Sequence, residues 1–210
     1  MMILALEFSS ASRSVAIARE GAVLAEVKAA GGRATNAFSL IEQTLDASGI
    51  QRDEIEAMAV GLGPGSYTGI RAAIALAQGW QLAREIKLLG VSSVDALAAR
   101  AQAAKFFGRV SLVVDAQRGE YYLAVWEISA EYRRELSPLR IVTVEEVESR
   151  QRAGEIIAGP AATNPEKVMF PSAAGVAALA AGRNDFIPGE ELAPIYLRET
   201  SFVKAAAPRI

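Results

Sequence analysis

The sequence predicts an α/β protein built from two copies of one structural unit. The order of three strands, a helix, a strand and a helix occurs twice, starting near Met2 and again near Val110. Apolar residues in each copy first follow strand-like runs and then recur at helical spacing. A chain of 210 residues can form one large domain or two small ones. From the repeat we expect an N-terminal domain of residues 1–104 and a C-terminal domain of residues 105–210, with a cleft between them.

The first copy begins with an antiparallel meander and continues with alternating helices and strands. Its predicted strands are Met2–Phe8, Ser14–Ala18, Ala22–Val27, Ala57–Leu62 and Lys87–Val91. Its predicted helices are Asn36–Ser48, Ile70–Arg84 and a third that runs from Ser92 to about Ala104. Gly31 and Gly32 separate the meander from the first helix, and Gly49 closes that helix.

The second copy repeats this order in a shorter form. Its predicted strands are Val110–Asp115, Tyr121–Glu127, a third near Glu131–Val142, and Glu155–Ala158. Thr143 and Glu146 have the spacing of a capping box, which predicts a short helix after the third strand. Ser172 is expected to cap a last helix that ends at Ala181.

The composition excludes several classes of function. Histidine and cysteine are both absent, which removes imidazole bases, Ser-His and Cys-His nucleophile pairs, disulfides and thiolate metal ligands. The formal net charge of −2 provides no long-range positive field to attract RNA. The N-terminus lacks the basic start of a signal sequence, and the apolar stretch from Ile70 to Ala83 is too short to span a bilayer. We therefore expect a cytoplasmic protein without a membrane segment.

Each copy ends its first strand in an acidic residue, Glu7 or Asp115, with a tight turn after it. In a two-lobed fold this placement can direct both carboxylates toward a shared cleft, where they would hold a phosphate-bound metal. Alternatively, each carboxylate caps its own turn or pairs with an arginine.

The glycine-rich segment from Gly63 to Gly69 also has two interpretations. Gly63 and Gly65 permit a tight turn, and Ser66 or Thr68 can cap the next helix, whose free amides form a potential anion site. The spacing matches neither a Walker loop nor a dinucleotide-binding loop, so a close-packed helix cap is the alternative. The candidate ligand-binding residues of the chain are accordingly Glu7, Ser9, Gly63, Gly65, Ser66 and Asp115.

The helix predicted at Ile70–Arg84 is apolar around most of its circumference. Such a helix must be buried on more than one side. Either it lies in the centre of the chain's own fold, or its remaining apolar face meets a partner protein.

Several segments of the sequence together resemble one protein family. They are Ile3-Leu4-Ala5-Leu6 with Ser9-Ser10, Gly63-Pro64-Gly65-Ser66-Tyr67-Thr68-Gly69-Ile70-Arg71, Gly90-Val91-Ser92-Ser93, Asp115-Ala116-Gln117-Arg118-Gly119-Glu120 and Tyr196-Leu197-Arg198. This combination is similar to the TsaB family, formerly called YeaZ, and it covers most of the chain. The sequence departs from the usual family pattern at Glu7, where Asp is usual, and at Gln117, where Arg is common.

The resemblance implies a duplicated actin-like, Hsp70-like (ASKHA) fold. It also implies a role in forming the threonylcarbamoyl modification of adenosine 37 in tRNAs that read codons beginning with A. Family members pair with TsaD, a related subunit that binds metal and carries out the transfer, and the ATPase TsaE joins them. The resemblance thus implies that ATP and metal bind to partner subunits, that tRNA is reached only through the complex, and that the chain alone forms a homodimer.

The family's heterodimer and homodimer contacts lie on helices of the N-terminal half. Transferred to this sequence, they fall on the helices Asn36–Ser48 and Ile70–Arg84. The expected partner-binding residues are Phe38, Ile41, Leu45, Ile70, Ala73, Ile74, Ala77 and Trp80.

The leading functional hypothesis is therefore a subunit without catalytic residues of its own, which binds and activates a TsaD-type enzyme. An ATP-dependent phosphotransferase of the actin-like fold is the first alternative, suggested by Glu7, Asp115 and the glycine-rich loop. A peptidase that acts on its partner is the second alternative, and it would need a Ser-Lys pair because histidine and cysteine are absent.

Overall fold

The computed structural model describes residues 1–30 and 36–198, and these residues form two β-sheets with helices packed on their faces. The strands are β1 (Met2–Glu7), β2 (Ser12–Arg19), β3 (Ala22–Ala30), β4 (Ala57–Gly61), β5 (Lys87–Val91), β6 (Gly108–Asp115), β7 (Glu120–Ile128), β8 (Arg133–Thr143) and β9 (Ile156–Ala158). The α-helices are α1 (Ala37–Ser48), α2 (Tyr67–Arg84), α3 (Ser93–Ala103), α4 (Val144–Arg152) and α5 (Ala173–Ala180). Short 3-10 helices lie at Arg52–Glu54, Pro165–Lys167 and Gly189–Glu191.

The two sheets share one topology, which confirms the duplicated α/β unit that the sequence predicts. The first sheet has the order β3-β2-β1-β4-β5, and the second has the order β8-β7-β6-β9. In each, three strands form an antiparallel meander and the next strand pairs in parallel with the first strand of the meander. The second sheet differs in that the described residues place no counterpart of β5 in it.

Helix α2 begins at Tyr67, three residues earlier than the sequence predicts. The side chain of Ser66 accepts a hydrogen bond from the amide of Gly69, so the helix is capped before its first turn. The predicted break at Gly31 and Gly32 lies outside the described residues.

The capping box predicted from Thr143 and Glu146 is wrong. Within the described structure the side chain of Thr143 accepts no capping hydrogen bond from helix α4. The Glu146 carboxylate instead binds the guanidinium groups of Arg140 and Arg150. Because two arginines compete for this carboxylate, it does not fold back onto the helix start.

Helices on both sides of the first sheet give it two apolar cores. Helices α1 and α2 cover one face, with Leu4, Leu6 and Met58 fully buried beneath them. Helix α5 covers the other face, where Ala173 and Ala177 pack against Ala5. The many alanines let α5 approach the sheet closely.

Helices α3 and α5 each pack against the sheet that the other half of the sequence forms. Helix α3 belongs to the first half, but its Leu97 packs against Val110 and Leu112 of the second sheet. Helix α5 belongs to the second half, and its N-terminal amide at Ala173 donates to the Ser14 hydroxyl of β2 at 2.7 Å. The division of the chain between residues 104 and 105 stays a prediction. Helices α3 and α5 lie on either side of this division in the sequence but pack on the sheet of the opposite half.

None of the helices in the described part of the chain has the length and apolar run needed to cross a membrane.

Candidate functional site

The carboxyl group of Glu7 is buried behind the turn that follows β1. Its Oε1 accepts a hydrogen bond from the Ser9 amide at 2.7 Å, and its Oε2 accepts one from the Ser93 hydroxyl at 2.7 Å. The same hydroxyl accepts from the amide of Gly63 at 3.1 Å. Burial raises the pKa of Glu7, and the hydrogen bonds from Ser9 and Ser93 oppose that rise. A side chain at Gly61 would lie 2.1 Å from Oε2, so only glycine leaves room for this carboxyl group.

The glycine-rich loop packs directly onto the backbone at the end of β1. The amide of Ser66 donates to the carbonyl oxygen of Ser9 at 2.7 Å. A Cβ atom at Gly65 would lie 2.0 Å from that oxygen, and one at Gly69 would lie 2.0 Å from the carbonyl oxygen of Phe8. The glycines therefore serve a close approach between the start of α2 and the end of β1, as the helix-cap interpretation requires.

Asp115 stands in the second copy where Glu7 stands in the first. Its Oδ1 accepts from the Gln117 amide at 2.7 Å, and its Oδ2 accepts from Gln117 Nε2 at 2.8 Å. In both copies the acidic residue thus binds the amide two residues further along, Ser9 in the first turn and Gln117 in the second. Glu7 is buried whereas Asp115 is exposed, so the two carboxylates do not face one cleft together.

A cleft of about 480 Å³ lies between the two halves, at the carboxyl ends of β1 and β6. From the first half it is lined by Ser9, Ser10, Ala11, Pro64, Gly65, Ser66, Tyr67, Ser93 and Leu97. From the second half it is lined by Val114, Asp115, Ala116, Gln117, Tyr122, Pro160, Phe170 and Pro171.

Four of the six candidate ligand-binding residues line this cleft, namely Ser9, Gly65, Ser66 and Asp115. Glu7 and Gly63 are not among the lining residues, but both form hydrogen bonds with the hydroxyl of Ser93, which does line the cleft. Among the described lining residues there is no lysine or arginine, so none of them offers a cation to a polyphosphate in the cleft.

The predicted partner-binding residues divide into a buried majority and an exposed minority. Six of them are buried in the core of the first sheet: Ile41, Leu45, Ile70, Ala73, Ile74 and Ala77. Phe38 is 69% exposed, and Trp80 is half-buried at the edge of that core. The side chains of these six residues pack against the chain's own sheet and offer a partner little surface, although Ile41 also lines the groove described next. Partner contact by the eight residues stays a prediction, and the burial of these six leaves Phe38 and Trp80 as the members with the most exposed surface.

An apolar groove of about 460 Å³ lies on the outer side of α1 and α2. Its lining residues are Phe38, Ile41, Glu42, Arg52, Ala75, Leu76, Gly79, Trp80, Ala83 and Arg84. Leu82, on the outer surface of α2, is 89% exposed. We call Phe38, Leu82 and the groove residues the α1–α2 face. Sequence reasoning missed Ala75, Gly79 and Leu82.

A second exposed feature joins the start of α2 to the last described residues. The rings of Tyr67 and Tyr196 stack at 5.9 Å between centroids, with 29° between their planes. The guanidinium of Arg71 lies 5.0 Å from the centre of the Tyr67 ring. Arg198 donates to the carbonyl oxygen of Ala116 at 3.3 Å. These contacts give structural roles to the Tyr-Leu-Arg segment, which the sequence identified only through resemblance.

Within the described residues no group of three or more acidic side chains is placed to hold a metal ion.

Comparisons with known proteins agree on one family. The family model described as "TsaD: tRNA N6-adenosine threonylcarbamoyltransferase" matches residues 11–193. Two similar proteins are the tRNA threonylcarbamoyladenosine biosynthesis proteins TsaB of Escherichia coli (strain K12) and Bacillus subtilis (strain 168). The first is 35% identical over 136 residues, which are 64% of this chain and 56% of that protein. The second is 30% identical over 129 residues, which are 60% of this chain and 56% of that protein.

The match to these curated relatives therefore spans little more than half of their length. Solved structures extend the similarity to nearly the whole chain. YeaZ from Pseudomonas aeruginosa has a TM-score of 0.78 and 26% identity, covering 93% of this chain and 99% of that one. A Pseudomonas aeruginosa protein described as similar to peptidase YEAZ has a TM-score of 0.79 and 27% identity, covering 94% and 99%.

Proposed function

We propose a function from one premise: the chain belongs to the TsaD family, tRNA N6-adenosine threonylcarbamoyltransferase, and among its relatives to the TsaB (YeaZ) group. Its role is that of an accessory subunit in the formation of threonylcarbamoyladenosine on tRNA. It acts by binding a TsaD-type catalytic subunit and holding that subunit in an active form.

The absence of histidine and cysteine supports a role without transfer chemistry. This sequence lacks the imidazole and thiolate groups that commonly serve as metal ligands and proton carriers, so in a metal-assisted transfer those groups come from the TsaD-type subunit. The cleft gives the same indication, because the described residues that line it carry no cation for a nucleotide's phosphates.

The α1–α2 face is the observation that carries the proposal. It combines a groove of about 460 Å³ with two large apolar side chains, Phe38 and Leu82, that are 69% and 89% exposed. Exposed apolar surface around a groove marks sites where proteins associate. Small residues at Ala75 and Gly79 let a partner helix approach α2 closely.

Charged side chains border the groove and would orient the partner. Arg52 forms an ion pair with Glu42 at 2.5 Å between Nη2 and Oε1, and Arg84 lies on the same border. An apolar centre with a charged border is the usual arrangement of a protein interface.

The same face serves a homodimer when the TsaD-type subunit is absent, so the two assemblies compete. A TsaE-type ATPase joins the complex of the two subunits. Because the chain's net charge is −2, tRNA is held by the assembled complex and not by this chain alone.

Reconstitution of the modification tests this function. The TsaD-type subunit, the TsaE-type ATPase and tRNA are supplied with threonylcarbamoyl-adenylate, with or without this chain. We expect the chain to co-purify with the TsaD-type subunit, and omission of the chain to lower the yield of modified adenosine at least tenfold. If the two proteins do not associate and the yield is the same without the chain, the proposal is wrong.

A further inference from the structure

The cleft between the two halves has the dimensions and position of a small-molecule site. Its volume of about 480 Å³ lies within the range of known ligand pockets. It opens at the carboxyl ends of β1 and β6, the end of a sheet where α/β proteins bind ligands. It is separate from the α1–α2 face, since the two share no lining residue.

The charge of the cleft favours a cation. Asp115 is exposed, and of the described residues that line the cleft it is the only charged one. The nearby guanidinium of Arg198 donates to the carbonyl oxygen of Ala116 and is paired with the carboxylate of Glu120. A carboxylate that has no ion-pair partner among the described residues attracts a positive ligand to a partly enclosed cleft and repels an anion.

The turns at the cleft are already occupied by the chain's own carboxylates. Backbone amides in turns after a first strand are the groups that bind phosphate in many folds. Here the Ser9 amide donates to Glu7 at 2.7 Å, and the Gln117 amide donates to Asp115 at 2.7 Å. A phosphate bound at either amide would have to displace the carboxyl group that already accepts from it.

The walls of the cleft fit a flat apolar body. Phe170 and Tyr122 contribute aromatic rings, and Pro64 and Pro171 contribute rigid apolar surface. Aromatic faces attract organic cations in addition to binding flat groups. At the rim, Tyr67 is held in place by its stacking on Tyr196.

We propose that the interlobe cleft binds a small organic cation, a flat molecule bearing an amidine, guanidine or primary amine, with its positive group on the carboxylate of Asp115. This site is additional to the docking function and does not depend on it.

Three probes of one shape and different charge test the site on the isolated chain: benzamidine (cation), benzamide (neutral) and benzoate (anion). Titrations followed by NMR chemical shifts should show millimolar binding of benzamidine that moves resonances of Asp115, Tyr122 and Gln117. Benzamide should bind roughly twofold to fivefold more weakly, the range expected for one partly exposed charge pair. Benzoate should not bind.

Asp115→Asn removes the charge and keeps an oxygen that accepts from the Gln117 amide. It should weaken benzamidine to the level of benzamide and leave benzamide unchanged. Asp46→Asn, at an exposed position in α1, is the matched control and should change neither. Equal or tighter binding of benzoate, unchanged benzamidine affinity in Asp115→Asn, binding of Mg-ADP in the cleft, or no binding of benzamidine at 20 mM would each overturn the proposal.

Discussion

At the scale of single residues, the end of β1 is held by a buried carboxyl group and by glycines that pack closely against it. The Glu7 carboxyl binds Ser9 and Ser93, and the loop glycines leave no space for a side chain. The sequence indicated that this loop either binds phosphate or caps a helix closely over a neighbour. Local sequence could not decide between these, because the deciding contact, the Ser9 carbonyl beneath Gly65, lies far away in the chain.

Glu7→Gln should change how stability depends on pH. Burial raises the pKa of Glu7 above its ordinary value of 4.5, so the folded protein keeps this proton to a higher pH than the unfolded chain does. The free energy of unfolding contributed by Glu7 is therefore full below pH 4.5 and falls as the pH rises toward the folded pKa. Glutamine cannot ionise, so the variant should lack this fall. Urea unfolding from pH 4.5 to 8 measures the difference, and parallel pH profiles for the two proteins would contradict the account.

Gly65→Ala should destabilise the fold by roughly 2–4 kcal/mol, as a severe overpacking does. The new Cβ would lie 2.0 Å from the Ser9 carbonyl oxygen, and the backbone φ of 148° is one that alanine rarely adopts. Gly79→Ala is the control: no described atom lies within 4 Å of its added Cβ, and alanine stabilises a helix interior by about 1 kcal/mol. Thermal unfolding of both variants should give shifts of opposite sign, and a tolerated Gly65→Ala would refute the close contact.

At the scale of elements, strands and helices follow from sequence periodicity, but the orientation of α2 does not. The helix positions were predictable because apolar runs and caps such as Ser66 mark them. The buried side of α2 was not, since apolar residues surround most of its circumference and leave only a narrow polar strip. The partner-binding residues chosen from this helix therefore fell mostly on the side that packs on the sheet.

Ala77→Asp and Ala75→Asp make a matched pair that separates the two sides of α2. Ala77 is fully buried and Ala75 is exposed. A carboxylate at 77 would be buried without a partner, so we expect a loss of at least about 3 kcal/mol in the free energy of unfolding. The same change at 75 should cost only the difference in helix propensity, about 0.7 kcal/mol. Circular dichroism during urea unfolding measures both values, and equal losses would show that the helix is oriented differently.

At the scale of the whole molecule, the duplication was predictable and the packing of α3 and α5 on the sheet of the opposite half was not. Element order reveals a repeat, because it depends only on local patterns such as those after Met2 and Val110. The position of α5 depends on contacts between distant residues. The amides of Ala173 and Ala174 donate to Ser14 and Glu26, about 150 positions earlier. No periodicity within α5 encodes these partners.

The arrangement of helices α2 and α3 also connects the α1–α2 face with the cleft between the two halves. Helix α3 starts at Ser93, beside Glu7 and the glycine-rich loop, and then packs on the second sheet. Helix α2 starts from the same loop and carries the α1–α2 face. The glycine-rich loop thus connects the helix of the α1–α2 face with the cleft and, through Ser93, with the helix that packs on the second sheet.

The affinity of the chain for a TsaD-type subunit, measured by isothermal titration calorimetry with two matched variants, tests the central claim most directly. Leu82→Arg changes an 89% exposed leucine on the α1–α2 face, and Leu136→Arg changes a 43% exposed leucine on β8 of the second sheet. Both variants should fold, since both side chains are exposed. The account predicts at least tenfold weaker binding for Leu82→Arg, as for an interface residue, and a change within twofold for Leu136→Arg. Unchanged affinity in Leu82→Arg, or a larger loss in Leu136→Arg, would contradict docking through α1 and α2.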